Sequence, residues 1–157
     1  MRSPPRGAEA VATNHTYVGA SPQAVWRILA EPRSYAHWVV GSSKTRGFDS
    51  AWPEAGAVFH HTQGVGPLGL RDTTEVIEAH ESHRLVLEVR MRPLLVARVE
   101  LALAPHGEGT WLTIRESPFG GLLGRFGGPL LEPALSVRNV ESLRRLRRLA
   151  ESGRAVS

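Results

Sequence analysis

Cysteine is absent from this chain, and lysine nearly so: Lys44 is the only one among 19 basic residues. The first absence excludes disulfides, cysteine-type zinc sites and a thiol nucleophile, and makes the cytoplasm the expected location. The second leaves a single amine for Schiff-base chemistry, near the start of a polar strand, so amine catalysis is not expected. Long apolar runs are also missing. Stretches such as 93–97 and 130–131 fall far short of the roughly 20 residues needed to cross a bilayer, which predicts no membrane span. The opening MRSPPRGAEA has no apolar core followed by a small-residue cleavage site, so it does not read as a secretory signal. No Gly-Lys-Ser/Thr follows the glycine-rich Gly64-Val-Gly-Pro-Leu-Gly69, and Gly41-Ser42-Ser43 lacks the nucleophile-elbow spacing. A phosphate loop and a serine hydrolase are therefore both excluded.

What is present is one domain's worth of chain. With 157 residues and 41% hydrophobic content, the sequence supports a single core, placed at 10–151 between a disordered tail at 1–9 and a C-terminal tail at 152–157. The formal charge of +4 is mostly dispersed arginine. Only Arg144, Arg145, Arg147 and Arg148 cluster, on a helix whose Leu143, Leu146 and Leu149 lie on another arc. A solvated helix face is the expectation, with no nucleic-acid partner.

Periodicity divides the domain. Residues 11–18 are strand-forming, after which Ser21 and Pro22 supply an N-cap and a first helical position for a helix from Pro22 to about Ala30. Pro32 restarts a short helix through Trp38. A period of two then takes over, at 43–48, 57–63, 71–79, 85–91, 95–103 and 111–116, giving seven strands with the first. Residues 117–129 are glycine-rich and apolar, and are read as a mobile cover. From about 130 to 151 the pattern is helical, with Ala134, Leu135, Val137, Val140, Leu143, Leu146 and Leu149 as its apolar face. This order predicts an α+β fold, with helices on one side of a curved antiparallel sheet and a small-molecule cleft between the layers.

Several strings carry a family resemblance: Ala20-Ser-Pro-Gln-Ala-Val-Trp26, Tyr35-Ala-His-Trp-Val-Val-Gly41, Arg71-Asp-Thr-Thr-Glu-Val76 and Asn139-Val-Glu-Ser-Leu-Arg-Arg-Leu146. They resemble the helix-grip superfamily of START domains, Bet v 1 allergens and bacterial polyketide cyclases, in particular the small bacterial cyclase/dehydrase-like subgroup, over residues 10–151. The resemblance implies a two-layer helix-grip fold, a seven-stranded sheet wrapped around a long C-terminal helix, with two short helices after the first strand. It also implies a small hydrophobic ligand such as a polyketide, lipid or aromatic metabolite. It leaves open whether the protein carries that ligand or acts on it as a cyclase or dehydratase.

Candidate chemistry is sparse. His60 and His61 are adjacent on a strand and point to opposite faces, so they do not share one ion; His80 and His83 fall in an exposed turn. No metal and no cofactor are expected. One of His60 or His61 is expected on the concave side as a possible general base. Glu116 shares a face with Leu112 and Ile114 and borders the cleft mouth. On 71–77, either Asp72 and Thr74 or Arg71 and Glu75 face inward, and apolar content does not choose between them. Candidate catalytic residues are thus His60, His61, Asp72 and Glu116. Candidate ligand contacts are the aromatics Trp38 and Trp52, His60 and Thr74, the strand residues Leu87, Val89, Val99, Ile114 and Glu116, the lid rings Phe119 and Phe126, and Leu135 and Asn139 on the helix. A monomer or homodimer is expected.

Overall fold

The computed structural model describes residues 12–63, 70–91, 93–122 and 128–153, without the side chains of 43–46, 61–63, 70–71 and 128. Seven strands form one antiparallel sheet: β1 (Ala12–Val18), β2 (Ser42–Phe48), β3 (Val58–Gln63), β4 (Leu70–His80), β5 (Arg84–Met91), β6 (Leu95–His106) and β7 (Gly109–Gly120). Their spatial order is β1-β7-β6-β5-β4-β3-β2, so every neighbour but one is also the next strand in sequence. The exception is β1, whose pairing with β7 brings the first and last strands together. Between β1 and β2 lie α1 (Pro22–Leu29), a turn of 3-10 helix (Pro32–Ser34) and α2 (Tyr35–Trp38); the chain closes with α3 (Leu131–Ser152). No helix among the described residues is long and apolar enough to cross a membrane.

Local chemistry explains each boundary. Ser21 Oγ accepts from the Ala24 amide at 3.2 Å with Pro22 in the first turn, which starts α1. Val25, Trp26, Ile28 and Leu29 then bury one side of it. Gly153 ends α3 in the left-handed conformation, with φ of 63°, that glycine adopts without strain. Where α3 meets β1, the Gly19 amide and Arg147 Nε both donate to Glu151 Oε1 at 2.9 Å, fixing the end of the helix to the β1–α1 connection.

Alternation along the strands separates two chemistries. Leu85 and Leu87, Leu95 to Leu103 at every second position, and Leu112, Ile114 and Glu116 face the helices and are buried. The opposite face carries a ladder of charges: Arg90 bridges Glu75 and Glu88, Arg98 reaches Glu88, and Arg84 bridges Glu78 and Glu100. These pairs hold both Arg84 and Arg90 above the ordinary guanidinium range, chiefly through the hydrogen bonds they donate to Glu100 and Glu75 respectively. The ladders are irregular at two places in β2–β3 and at one each in β4–β5 and β6–β7. Ile77 is an extra residue between the Val76–Leu87 and Glu78–Val86 pairs, and Phe119 an extra one between Pro118–Ala97 and Gly120–Val96.

Two expectations from the sequence are corrected here. The mobile cover does not begin at Ser117: β7 continues to Gly120, because β6 is long enough to pair with it and the bulge at Phe119 accommodates Pro118, which has no amide to donate. Residues 123–127, the rest of that segment, lie outside the described residues. On α3, Val137 and Val140 are 73% and 56% exposed, and the buried line is instead Leu135, Asn139, Ser142, Leu143, Leu146 and Ala150. The helix turns two polar residues inward and two valines outward, because Asn139 and Ser142 find hydrogen-bond partners in the fold.

Candidate functional site

The concave side of the sheet does not close fully on the helices. Tyr35 and Trp38 of α2, Trp52 between β2 and β3, and Phe59 of β3 form an aromatic cluster, with ring centroids of contacting pairs 4.7 to 5.8 Å apart. Their polar atoms are turned away into the backbone. Tyr35 Oη and Trp52 Nε1 both donate to the Leu29 carbonyl, at 2.8 and 3.2 Å. Trp38 Nε1 donates to Ser34 Oγ at 3.2 Å, and Ser34 in turn donates to the Ile28 carbonyl at 2.6 Å. Burial pushes the Tyr35 phenol far above its usual range, so it stays protonated and neutral.

Against this wall lies a cleft with about 510 Å³ of empty space, its open mouth included. Tyr35, Trp38 and Phe59 form one side; Leu87, Val89, Val99, Leu101 and Ile114 on β5 to β7 form the floor; Thr74 stands on β4. The polar groups collect at α3. Asn139 Nδ2 donates to Glu116 Oε2 at 3.0 Å, and Arg138 Nη2 donates to Glu116 Oε1 at 3.4 Å. Ser142 Oγ accepts from the Val40 amide at 3.0 Å. Glu116 is 1% exposed, whereas the Arg138 side chain is 25% exposed. Arg138 Nε is buried and has no hydrogen-bond partner among the described residues. The wall is therefore mostly apolar, with Thr74 on β4, Ser142 on α3 and one charged pole, where a carboxylate, an amide and a guanidinium meet.

The residues singled out from sequence divide clearly. Trp38, Thr74, Leu87, Val89, Val99, Ile114, Glu116 and Asn139 line the cleft together. Trp52 is buried one layer behind, in the aromatic cluster, and Leu135 is buried on α3 away from the cleft wall. His60 is a correction: Phe59 is the inward residue of β3, so His60 is exposed on the outer face, with Nδ1 3.5 Å from Thr73 Oγ1. The side chain of His61 and all of Phe126 lie outside the described residues. Phe119, expected as a lid, is the bulged residue of β7 and is 52% exposed. The question of β4 is answered by burial: Asp72, Thr74 and Val76 face inward, while Glu75 joins the outer charge ladder. Asp72 is fully buried but is not part of the cleft wall.

Arg138 and Ser142 were not singled out. Ser142 was legible in principle, since Leu135, Asn139, Ser142 and Leu146 recur at spacings of four and three, the stripe of one helix face. Arg138 gave no such signal, because a long side chain beside the buried stripe reaches inward along its stem while its position reads as surface.

Comparison with known proteins agrees with this architecture. Protein CV1439 from Chromobacterium violaceum superposes with a TM-score of 0.72 at 18% identity, covering 88% of this chain and 95% of that one. The Zhui aromatase/cyclase from Streptomyces sp. R1128 gives 0.72 at 17% identity, over 92% and 95%. The di-domain aromatase/cyclase StfQ of the steffimycin biosynthetic pathway gives 0.71 at 14% identity, with this chain covering 50% of its length. No curated protein matches the sequence. Residues 9–151 match the family described as polyketide cyclase/dehydrase and lipid transport, and with nearly the whole domain inside that match the chain belongs to this family.

Proposed function

We propose that this protein binds a small, mostly apolar molecule in the cleft between the sheet and α3, as a carrier or sequestering module. The observation that carries the reading is the division of the wall into an extended, mostly apolar surface and a single charged pole at Glu116, Asn139 and Arg138. Apolar burial supplies affinity at about 25 cal/mol per Å², and one pole fixes which end of the ligand enters. Native mass spectrometry of protein purified from its own host tests this: a bound species lost on denaturation is expected. In parallel, the neutral probe N-phenylnaphthylamine should bind at one site and be excluded by Val99→Trp, which fills the floor. Equal binding by that variant places the probe elsewhere and sinks the reading.

A second reading is favoured by the burial of a carboxylate in that wall. In a cyclase or dehydratase, Glu116 takes a proton from a carbon between two carbonyls, and that carbon attacks a third carbonyl of the same chain. The proton then returns to the new alkoxide, and loss of water follows. The cleft contributes by holding the reacting carbons close. A poly-β-ketone thioester separates the two readings: a carrier returns it unchanged, whereas the enzyme converts it and the Glu116→Gln variant keeps probe binding and loses that conversion.

A further inference from the structure

The charge and hydrogen-bond capacity of the polar pole restrict what end-group it accepts, and we infer that the ligand presents an uncharged hydroxyl, a phenol or an alcohol, and not a carboxylate. This rests on the cleft being a ligand site. Among the described residues lining it, Glu116 and Arg138 are the charged ones, and they are paired at 3.4 Å. The pair is neutral as it stands. An anionic head group set beside it leaves two negative charges against one guanidinium in a largely desolvated place, and juxtaposed like charges cost several kcal/mol. A fatty or aromatic acid is disfavoured on that ground.

The unused hydrogen-bonding groups make the same selection. Each Glu116 oxygen accepts one bond from the protein, from Asn139 or Arg138, and a carboxylate has capacity for about four. Beside one another, then, stand a carboxylate with spare acceptor capacity and a partly exposed guanidinium that donates to it through Nη2. A hydroxyl serves both, giving its proton to Glu116 and accepting from Arg138. An ionised carboxylate accepts only and leaves Glu116 facing another acceptor. Trp38 and Tyr35 do not compete for the group, because their polar atoms are already bonded away from the cleft.

Naphthol and the corresponding naphthoate share one aromatic body and differ in this end-group, and quenching of tryptophan emission at neutral pH reports both. Naphthol is expected to bind at least about tenfold more tightly, a difference near 1.4 kcal/mol. Glu116→Gln, which removes the negative charge and keeps the shape, is expected to bring the two affinities within about threefold, mainly by strengthening naphthoate. Arg138→Met is expected to widen the gap, since it leaves Glu116 uncompensated; circular dichroism confirms that each variant is folded. Naphthoate binding as tightly as naphthol, or a preference unchanged in Glu116→Gln, overturns the inference while leaving the cleft as a ligand site. Failure of both compounds and of N-phenylnaphthylamine to bind overturns the underlying reading as well.

Discussion

The side-chain amide of Asn139 donates to Glu116 Oε2 at 3.0 Å with both residues only 1% exposed, so the middle of α3 is joined to β7 by a buried polar contact and not by apolar packing. An apolar substitution at Asn139 leaves a buried carboxylate oxygen without its donor. Asn139→Leu is therefore expected to lower stability by about 1–3 kcal/mol in denaturant unfolding, despite the gain in hydrophobicity. A neutral or stabilising result shows that the contact is dispensable.

On the outer face, Glu75 and Glu88 are directly opposed across β4 and β5, and Arg90 bridges them. Arg90→Ala leaves two like charges face to face. A loss of about 1 kcal/mol is expected, shrinking with added salt and partly reversed by a second change, Glu88→Gln. Salt-independent destabilisation would instead indicate lost packing of the arginine stem.

The Glu151 carboxyl is held below its ordinary value, first by the Gly19 amide and then by Arg147. Because the folded-state value is the lower one, the stabilisation is complete above the unfolded-state value of about 4.3 and is lost as pH falls through the folded one. Glu151→Gln is thus expected to be slightly less stable than wild type at neutral pH and to lose less stability as the pH is lowered, so that the two converge in acid. The effect is small, since the group is largely solvated. Identical acid limbs for both proteins refute the linkage.

Tyr35 and Trp52 share the Leu29 carbonyl, whose two lone pairs allow both bonds. Tyr35→Phe removes one of two donors and is expected to cost about 1 kcal/mol. Phe59→Ala, which empties the centre of the same cluster, should cost about 3–5 kcal/mol. Thermal unfolding of the two variants ranks them; the reverse order contradicts the packing.

Arg144 and Arg145 extend from the solvent side of α3 and pair with Glu141 at 3.6 and 3.2 Å. Changing both to Ala should alter stability by less than about 1 kcal/mol, as for other exposed pairs. A larger loss in chemical denaturation means the face is covered in the folded protein.

Most of the architecture was legible because period and punctuation agreed: Ser21-Pro22 opens α1 where expected, and Leu85 to Val89 and Leu95 to Leu103 read as alternating strands. Position within the cleft was harder. Trp38 and Trp52 look alike in sequence, and only the fold puts one on the wall and the other behind it. On β4 both faces carried polar residues, so alternation had no sign until burial supplied one. The apolar face of α3 was misread for a related reason: Val137 and Val140 weighed more than Asn139 and Ser142 on any hydrophobic scale, but the partners Glu116 and Val40 come from remote elements. Hydrophobicity records what a side chain gains from burial alone; it contains nothing about a donor more than 20 residues away.

The three hydrogen bonds that turn aromatic side chains toward Leu29 and Ser34, with the Ser34 bond to Ile28 behind them, have a mechanical consequence. Shifting Tyr35 or Trp38 outward to admit a bulky guest would strip several buried polar atoms of their partners at once, whereas Val89 and Arg138 on the opposite side are already partly open to solvent. The short helices thus act as a fixed jaw. If the cleft takes a ligand as proposed, any widening of the gap falls to the strand floor and the long helix, which the Glu116–Asn139 contact ties together.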